Sequence, residues 1–168
     1  MAIGEGVPMV QKELKEALRL GKMGQVGCVV RNLQKAITNY EEVLGIGPFA
    51  ILEFKPEKSF VRGRGDKVHF KIGIAPLTPD LSLELLEVAA GEPYHKDFLE
   101  KHGEGIQHLG FFTDDYDGVL MRAEKLSILV LMSAETDVPG MGHVRAAYLD
   151  TSEKIGFLVE VIEVKQHT

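Results

Sequence analysis

Two stretches decide the fold, Gln25-Val-Gly-Cys-Val-Val-Arg-Asn-Leu33 and His108-Leu-Gly-Phe-Phe-Thr-Asp-Asp-Tyr116, which lie 83 residues apart in the chain. Each opens with β-branched or aromatic residues, passes through a polar turn and enters a segment with apolar residues three and four apart. That is the pattern of a strand, a turn and an amphipathic helix. In the first helix Leu33, Ile37, Tyr40, Val43 and Leu44 form the stripe, with Asn32 as N-cap and Gly45 as stop. In the second, Val119, Leu120, Ala123 and Leu126 form the stripe and Asp114 or Asp115 supplies the cap.

Strand-like runs follow each helix. In the first half they are Phe49 to Phe54, Lys67 to Ile74 and Leu81 to Val88, punctuated by Pro56, Gly63, Gly65, Pro76 and Pro79. In the second half they are Ile128 to Ser133, Val144 to Asp150 and Gly156 to Val164, with Pro139, Gly140 and Gly142 between them. The expectation is an α+β fold made of two βαβββ modules in one domain, module 1 over 22–90 and module 2 over 105–165. An N-terminal helix within 1–21, with Met9 to Leu20 amphipathic, and a linking helix within 91–104 complete the chain.

With 168 residues, 45% hydrophobic and 26% charged, the chain can bury a core without staples. A net charge of -6 argues against a nucleic-acid or anionic-membrane partner. The single cysteine, Cys28, stands among valines and reads as a small buried hydrophobe, and no signal or membrane-spanning pattern is seen, so a cytoplasmic location is expected. The one basic island, Arg62 to Lys67, reads first as a solvated loop.

A similar strand closes each half, Leu83-Glu-Leu-Leu-Glu87 and Val159-Glu-Val-Ile-Glu163, which makes Glu84 and Glu160 equivalent. Strand alternation puts Glu84 on a face with Ser82 and Leu86, and Glu160 on a face with Leu158 and Ile162. Periodicity leaves two readings open. Either sheet edges keep both carboxylates in water, or two half-sheets close around them and Gln25, Glu84, His108 and Glu160 aim at one divalent ion, such as Zn, Co, Mn or Ni.

The chain resembles the vicinal oxygen chelate superfamily, which includes glyoxalase I, methylmalonyl-CoA epimerase and extradiol dioxygenases. The resemblance covers roughly Lys22 to Val164 and is carried by Val30-Arg-Asn-Leu-Gln-Lys-Ala-Ile-Thr-Asn-Tyr40 with Leu44-Gly-Ile-Gly-Pro48, by Leu83-Glu-Leu-Leu-Glu87, by Phe98-Leu-Glu-Lys-His-Gly-Glu-Gly-Ile-Gln-His108 and by Tyr148-Leu-Asp-Thr151. The third stretch looks most like methylmalonyl-CoA epimerase. The resemblance implies a curved mixed sheet around a metal held by Gln25, Glu84, His108 and Glu160. It also implies proton transfer next to a carbonyl with Glu160 as base, and a homodimer.

For an epimerase, Glu57 is the candidate second acid or base, and Arg62 and Arg64 are candidate contacts for coenzyme A phosphates. The alternatives are a glyoxalase-like lyase or isomerase on another small oxo compound, and a non-catalytic binding protein. Glutathione is disfavoured because the arginine that would hold it is replaced at about Val29. The missing histidine at position 25 speaks against dioxygenase chemistry. Among the other histidines, His69 and His143 are lesser site candidates, whereas His95, His102 and His167 read as surface residues.

Overall fold

The computed structural model describes residues 17–166. Most of the expected N-terminal helix and His167 lie outside them; of that helix Ala17 and Leu18 are described as helical. Module 1 runs β1 (Lys22–Val30), α1 (Leu33–Leu44), β2 (Ala50–Phe54), β3 (Lys58–Val61), β4 (Arg64–Gly65), β5 (His69–Thr78) and β6 (Leu81–Ala90). The linking helix α2 (Tyr94–His102) leads to β7 (Gly105–Phe112), α3 (Tyr116–Lys125), β8 (Val130–Val138), β9 (Gly142–Leu149), α4 (Ser152–Ile155) and β10 (Leu158–Lys165). No helix among the described residues is long and apolar enough to cross a membrane.

Local signals set the helix ends. The Asn32 side chain accepts a hydrogen bond from the Lys35 amide, and Gly45 closes α1 in the left-handed region at φ 65°. Asp115 stands at the N-cap of α3 but makes no capping bond there; its carboxylate takes Arg122 at 2.8 Å instead.

The ten strands of the described residues form one curled sheet in the order β2-β5-β6-β1-β7-β10-β9-β8-β3-β4. The first strands of the two modules, β1 and β7, meet antiparallel at its centre, and each pairs in parallel with its own module's last strand, β6 or β10. The first half departs from a plain βαβββ order. A short hairpin, β3–β4, crosses over and adds β3 to the β8 edge of the second module, Lys58 opposite Glu135 and Val61 opposite Met132. Four residues among Pro56, Gly63 and Gly65 carry too little periodicity to announce a strand, yet Ser59 and Val61 are buried by it. Because residues 55–57 join β2 to β3, the two margins of the sheet are tied and the sheet curls into a half-barrel.

Both faces of the central strands are covered. Leu83 and Leu85 on β6 pack with Cys28, Val30, Leu33 and Ile37 under α1, and Val159 and Val161 on β10 pack with Val119 and Ala123 under α3. Alternation then turns Glu84, Leu86, Leu158, Glu160 and Ile162 into the concavity. There Phe70, Ile72, Leu86, Met132, Tyr148 and Leu158 form the inner core, and α2 seats Tyr94 against its end.

Candidate metal centre

Two neighbouring rows of cross-strand partners build the site. Ser82, Gln25, Gly110, Glu160 and Tyr148 follow one another across β6, β1, β7, β10 and β9. In the next row Glu84, Gly27, His108 and Leu158 do the same across β6, β1, β7 and β10. Each central strand thus carries a polar residue followed two positions later by glycine, and antiparallel pairing sets Gly27 opposite His108 and Gly110 opposite Gln25. The space left by each glycine is occupied. A Cβ on Gly27 would lie 1.9 Å from Nε2 of His108, and one on Gly110 would lie 2.8 Å from Cβ of Gln25 and 3.3 Å from Oε2 of Glu160.

His108 Nε2 stands 3.1 Å from Oε2 of Glu84 and 3.5 Å from Oε2 of Glu160. Ligand atoms of these three residues all lie within 4.8 Å of one another, close enough to hold one metal ion. His108 is fully buried, and Gln25, Glu84 and Glu160 are at most 6% exposed. Two carboxylates buried beside one imidazole are expensive unless further positive charge offsets them. Glu160 Oε2 has no hydrogen-bond donor among the described residues, so one lone-pair position in the cluster is unsatisfied. A nitrogen and two carboxylate oxygens, with the Gln25 amide alongside, fit a borderline divalent cation.

The electrostatics follow from burial. Burial, with the neighbouring Glu84 charge, pushes the Glu160 carboxyl up to about 7, against the opposing pull of His108 and of a hydrogen bond from the Tyr148 hydroxyl. Burial alone would hold His108 down, but its hydrogen bond to Glu84 and the charges of Glu160 and Glu84 outweigh it and raise the imidazole. Tyr148 is held well above its ordinary range by burial and by the two carboxylates.

A break in strand alternation adds a residue that periodicity hides. In the β1–β7 ladder Gly27 faces His108 while Cys28 faces Ile106, so Gln107 is the extra residue of a β-bulge. Its amide Oε1 lies 3.1 Å from Nδ1 of His108. An amide oxygen only accepts, so Nδ1 carries a proton and Nε2 faces the carboxylates.

The cluster opens on a cavity of about 260 Å³ inside the half-barrel. Gln25, Ser82, Glu84, Tyr148 and Glu160 supply its polar atoms, and the remaining lining is hydrocarbon or thioether.

A family model described as the Glyoxalase/Bleomycin resistance protein/Dioxygenase superfamily matches residues 24–148. The chain belongs to this superfamily. Other superfamily structures share the fold. Methylmalonyl-CoA epimerase from Mycobacterium tuberculosis superposes with a TM-score of 0.58 at 18% identity, over 86% of this chain and 88% of that one. A variant of the Streptomyces coelicolor methylmalonyl-CoA epimerase, in complex with 2-nitronate-propionyl-CoA, gives 0.57 at 23% identity, over 86% and 97%. In sequence, the chain is 25% identical over 147 residues to the uncharacterized protein YqjC of Bacillus subtilis, covering 87% of this chain and 94% of that protein.

Within this superfamily scaffold, the structure brings Glu84, His108 and Glu160 together, with Gln25 beside Glu160 across Gly110. It does not bring Glu57, Arg62 or Arg64 to them. Glu57 is exposed in the β2–β3 connection and does not line the cavity. Arg62 is ion-paired with Asp97 of α2, beside Leu131, and Arg64 is exposed on the same hairpin. That hairpin lies at the end of the half-barrel closed by α2, whereas Val138, Met141 and Val164 line the cavity at the opposite ends of their strands.

His95 corrects an expectation. It reads as a surface residue, yet it is fully buried, with its ring centroid 4.5 Å from Tyr148, 5.0 Å from Phe70 and 6.0 Å from His108. The first turn of α2 plugs the half-barrel, and that position, invisible in a local pattern, points the ring inward. Neither ring nitrogen has a hydrogen-bond partner among the described residues, and burial, with the nearby His108, holds the imidazole well below its ordinary range, hence neutral. His102 stays exposed, as expected. His69 stands 3.3 Å from Glu53 and His143 2.8 Å from Asp137, and neither lines the cavity.

Proposed function

We propose that this chain catalyses divalent-metal-dependent proton transfer at a carbon next to a carbonyl, the class of chemistry to which methylmalonyl-CoA epimerase belongs. The observation that carries the reading is the buried meeting of Glu84, His108 and Glu160 on one wall of a closed-ended cavity. A cation held by Gln25, Glu84, His108 and Glu160, with Zn, Co, Mn or Ni as candidates, would supply Lewis-acid stabilisation of charge developing on a substrate oxygen. Glu160 lines the cavity beside the place such a cation would occupy, so its carboxylate is positioned to take a proton from a bound substrate and return it. Tyr148 stands opposite Glu160 across β10 and β9 and lines the same wall.

Glu84 and Glu160 are the carboxylates among the described lining residues, and both belong to the same wall. That favours one base taking and returning the proton on one face, as a glyoxalase-like isomerase does. The second reading, an acyl-CoA epimerase with Glu57 as the opposite acid or base and Arg62 and Arg64 near coenzyme A, is favoured by the fold shared with the epimerases.

Deuterium exchange at C2 of methylmalonyl-CoA, with metal-loaded wild type and Glu160→Gln, separates the readings. Exchange with inversion, lost in Glu160→Gln and in Glu57→Gln, supports the epimerase. Exchange with retention supports the one-base reading. No exchange with this or small oxo compounds removes the proton-transfer proposal.

A further inference from the structure

The polar atoms of the cavity are confined to the side where β6, β1, β10 and β9 carry Ser82, Glu84, Gln25, Glu160 and Tyr148. Two walls enclose the rest of the space. Leu52, Phe54, Phe70, Ile72 and Ile74 come from β2 and β5, and Met132, Ala134, Val138, Met141 and Val144 from β8, β9 and the turn between them. No lysine, arginine or histidine side chain lines the cavity among the described residues. A second anionic group on a substrate would therefore lie in hydrocarbon with no partner, an arrangement that strongly disfavours binding. The volume, about 260 Å³, exceeds the 150 Å³ or so of an apolar cavity that takes benzene, so a body of roughly ten heavy atoms fits.

We infer that the cavity takes a small oxo compound whose oxygens meet the Gln25, Glu84 and Glu160 side and whose body is an aryl or branched alkyl group without a second charge. The placement of the oxygens rests on the proton-transfer reading; the apolar lobe stands on the lining alone. Carbon-bound hydrocarbon between Phe54, Ile72 and Met132 excludes water from the reacting end, and it discriminates against short or dicarboxylic substrates.

The test is calorimetric titration of the metal-loaded and the metal-free protein with three probes, pyruvate, phenylpyruvate and oxaloacetate, together with ligand-observed NMR of ethylbenzene on the metal-free protein. Phenylpyruvate is expected to bind at least about tenfold more tightly than pyruvate, and oxaloacetate no better than pyruvate. Ethylbenzene is expected to bind without metal, and to lose most of its affinity in Ala146→Leu, which fills the lobe. Met141→Lys, at a partly exposed lining position that tolerates a long side chain, is expected to improve oxaloacetate relative to phenylpyruvate. Ethylbenzene binding with no effect of metal on the acids would sink the proton-transfer reading and leave the lobe standing. Absence of ethylbenzene binding, or a preference for oxaloacetate in the wild type, would overturn the inference.

Discussion

Oε1 of Gln107 lies 3.1 Å from Nδ1 of His108, although the two are consecutive in one strand and alternation would send them to opposite faces. The bulge at Gln107 makes the contact possible and fixes which imidazole nitrogen meets Glu84 and Glu160. Gln107→Leu keeps the volume and removes the acceptor. Metal affinity is then expected to fall about 10- to 100-fold, and Gln107→Glu to restore it. Calorimetric titration of both variants with Zn checks this; an unchanged constant in Gln107→Leu would assign the amide a packing role only.

Gly27 is expected to be the least replaceable glycine of the site. An added Cβ would stand 1.9 Å from Nε2 of His108, so the imidazole must leave its place over β1. Gly27→Ala should lose metal binding by about two orders of magnitude, a loss of the kind that a displaced ligand produces, while circular dichroism stays that of the wild type. Gly110→Ala should be milder, because its Cβ meets Gln25 Cβ at 2.8 Å.

Stability of the metal-free protein should fall as pH rises. The Glu160 carboxyl is raised from 4.5 to about 7 in the folded state. Between those values the native chain still holds a proton that the unfolded chain has released, so each rise in pH favours unfolding. The loss levels off above about 7 and is on the order of 3 kcal/mol. His108, also raised, acts in the same direction above its ordinary value. Glu160→Gln should flatten the curve and exceed the wild type at pH 8 by chemical denaturation; a wild type that gains stability from pH 5 to 7 would contradict the burial account.

Arg145 holds the buried carboxylate of Glu163, 3% exposed, through Nε at 2.8 Å and its terminal nitrogen at 2.7 Å. It also forks onto Asp117 and lies over the Tyr116 ring. Arg145→Met should cost about 3 kcal/mol, near the low end for a broken buried pair, because Lys165 also lies 3.2 Å from Glu163. The double variant with Glu163→Met should recover most of that in urea melts.

Much of this was legible in the chain. The repeat that aligns Gln25 with His108 also aligns Gly27 with Gly110, and the pairing shows why: each glycine clears space for the other strand's side chain. Leu83, Glu84 and Leu85 alternate as the pattern required, between α1 and the concavity. What stayed hidden depends on contacts distant in sequence. The β3 strand is defined by β8 some 70 residues away, His95 by the rings that α2 happens to plug against, and Gln107 by a bulge that only the ladder reveals. Two glycines spaced alike after Gln25 and His108 were the available signal for the close approach.

The central claim is that Gln25, Glu84, His108 and Glu160 bind one divalent cation. Calorimetric metal titration of the wild type beside His108→Ala tests it most directly. The account predicts one ion per chain in the wild type, with at least about a hundredfold loss in the variant. No saturable binding in the wild type, or equal binding in both proteins, would contradict it.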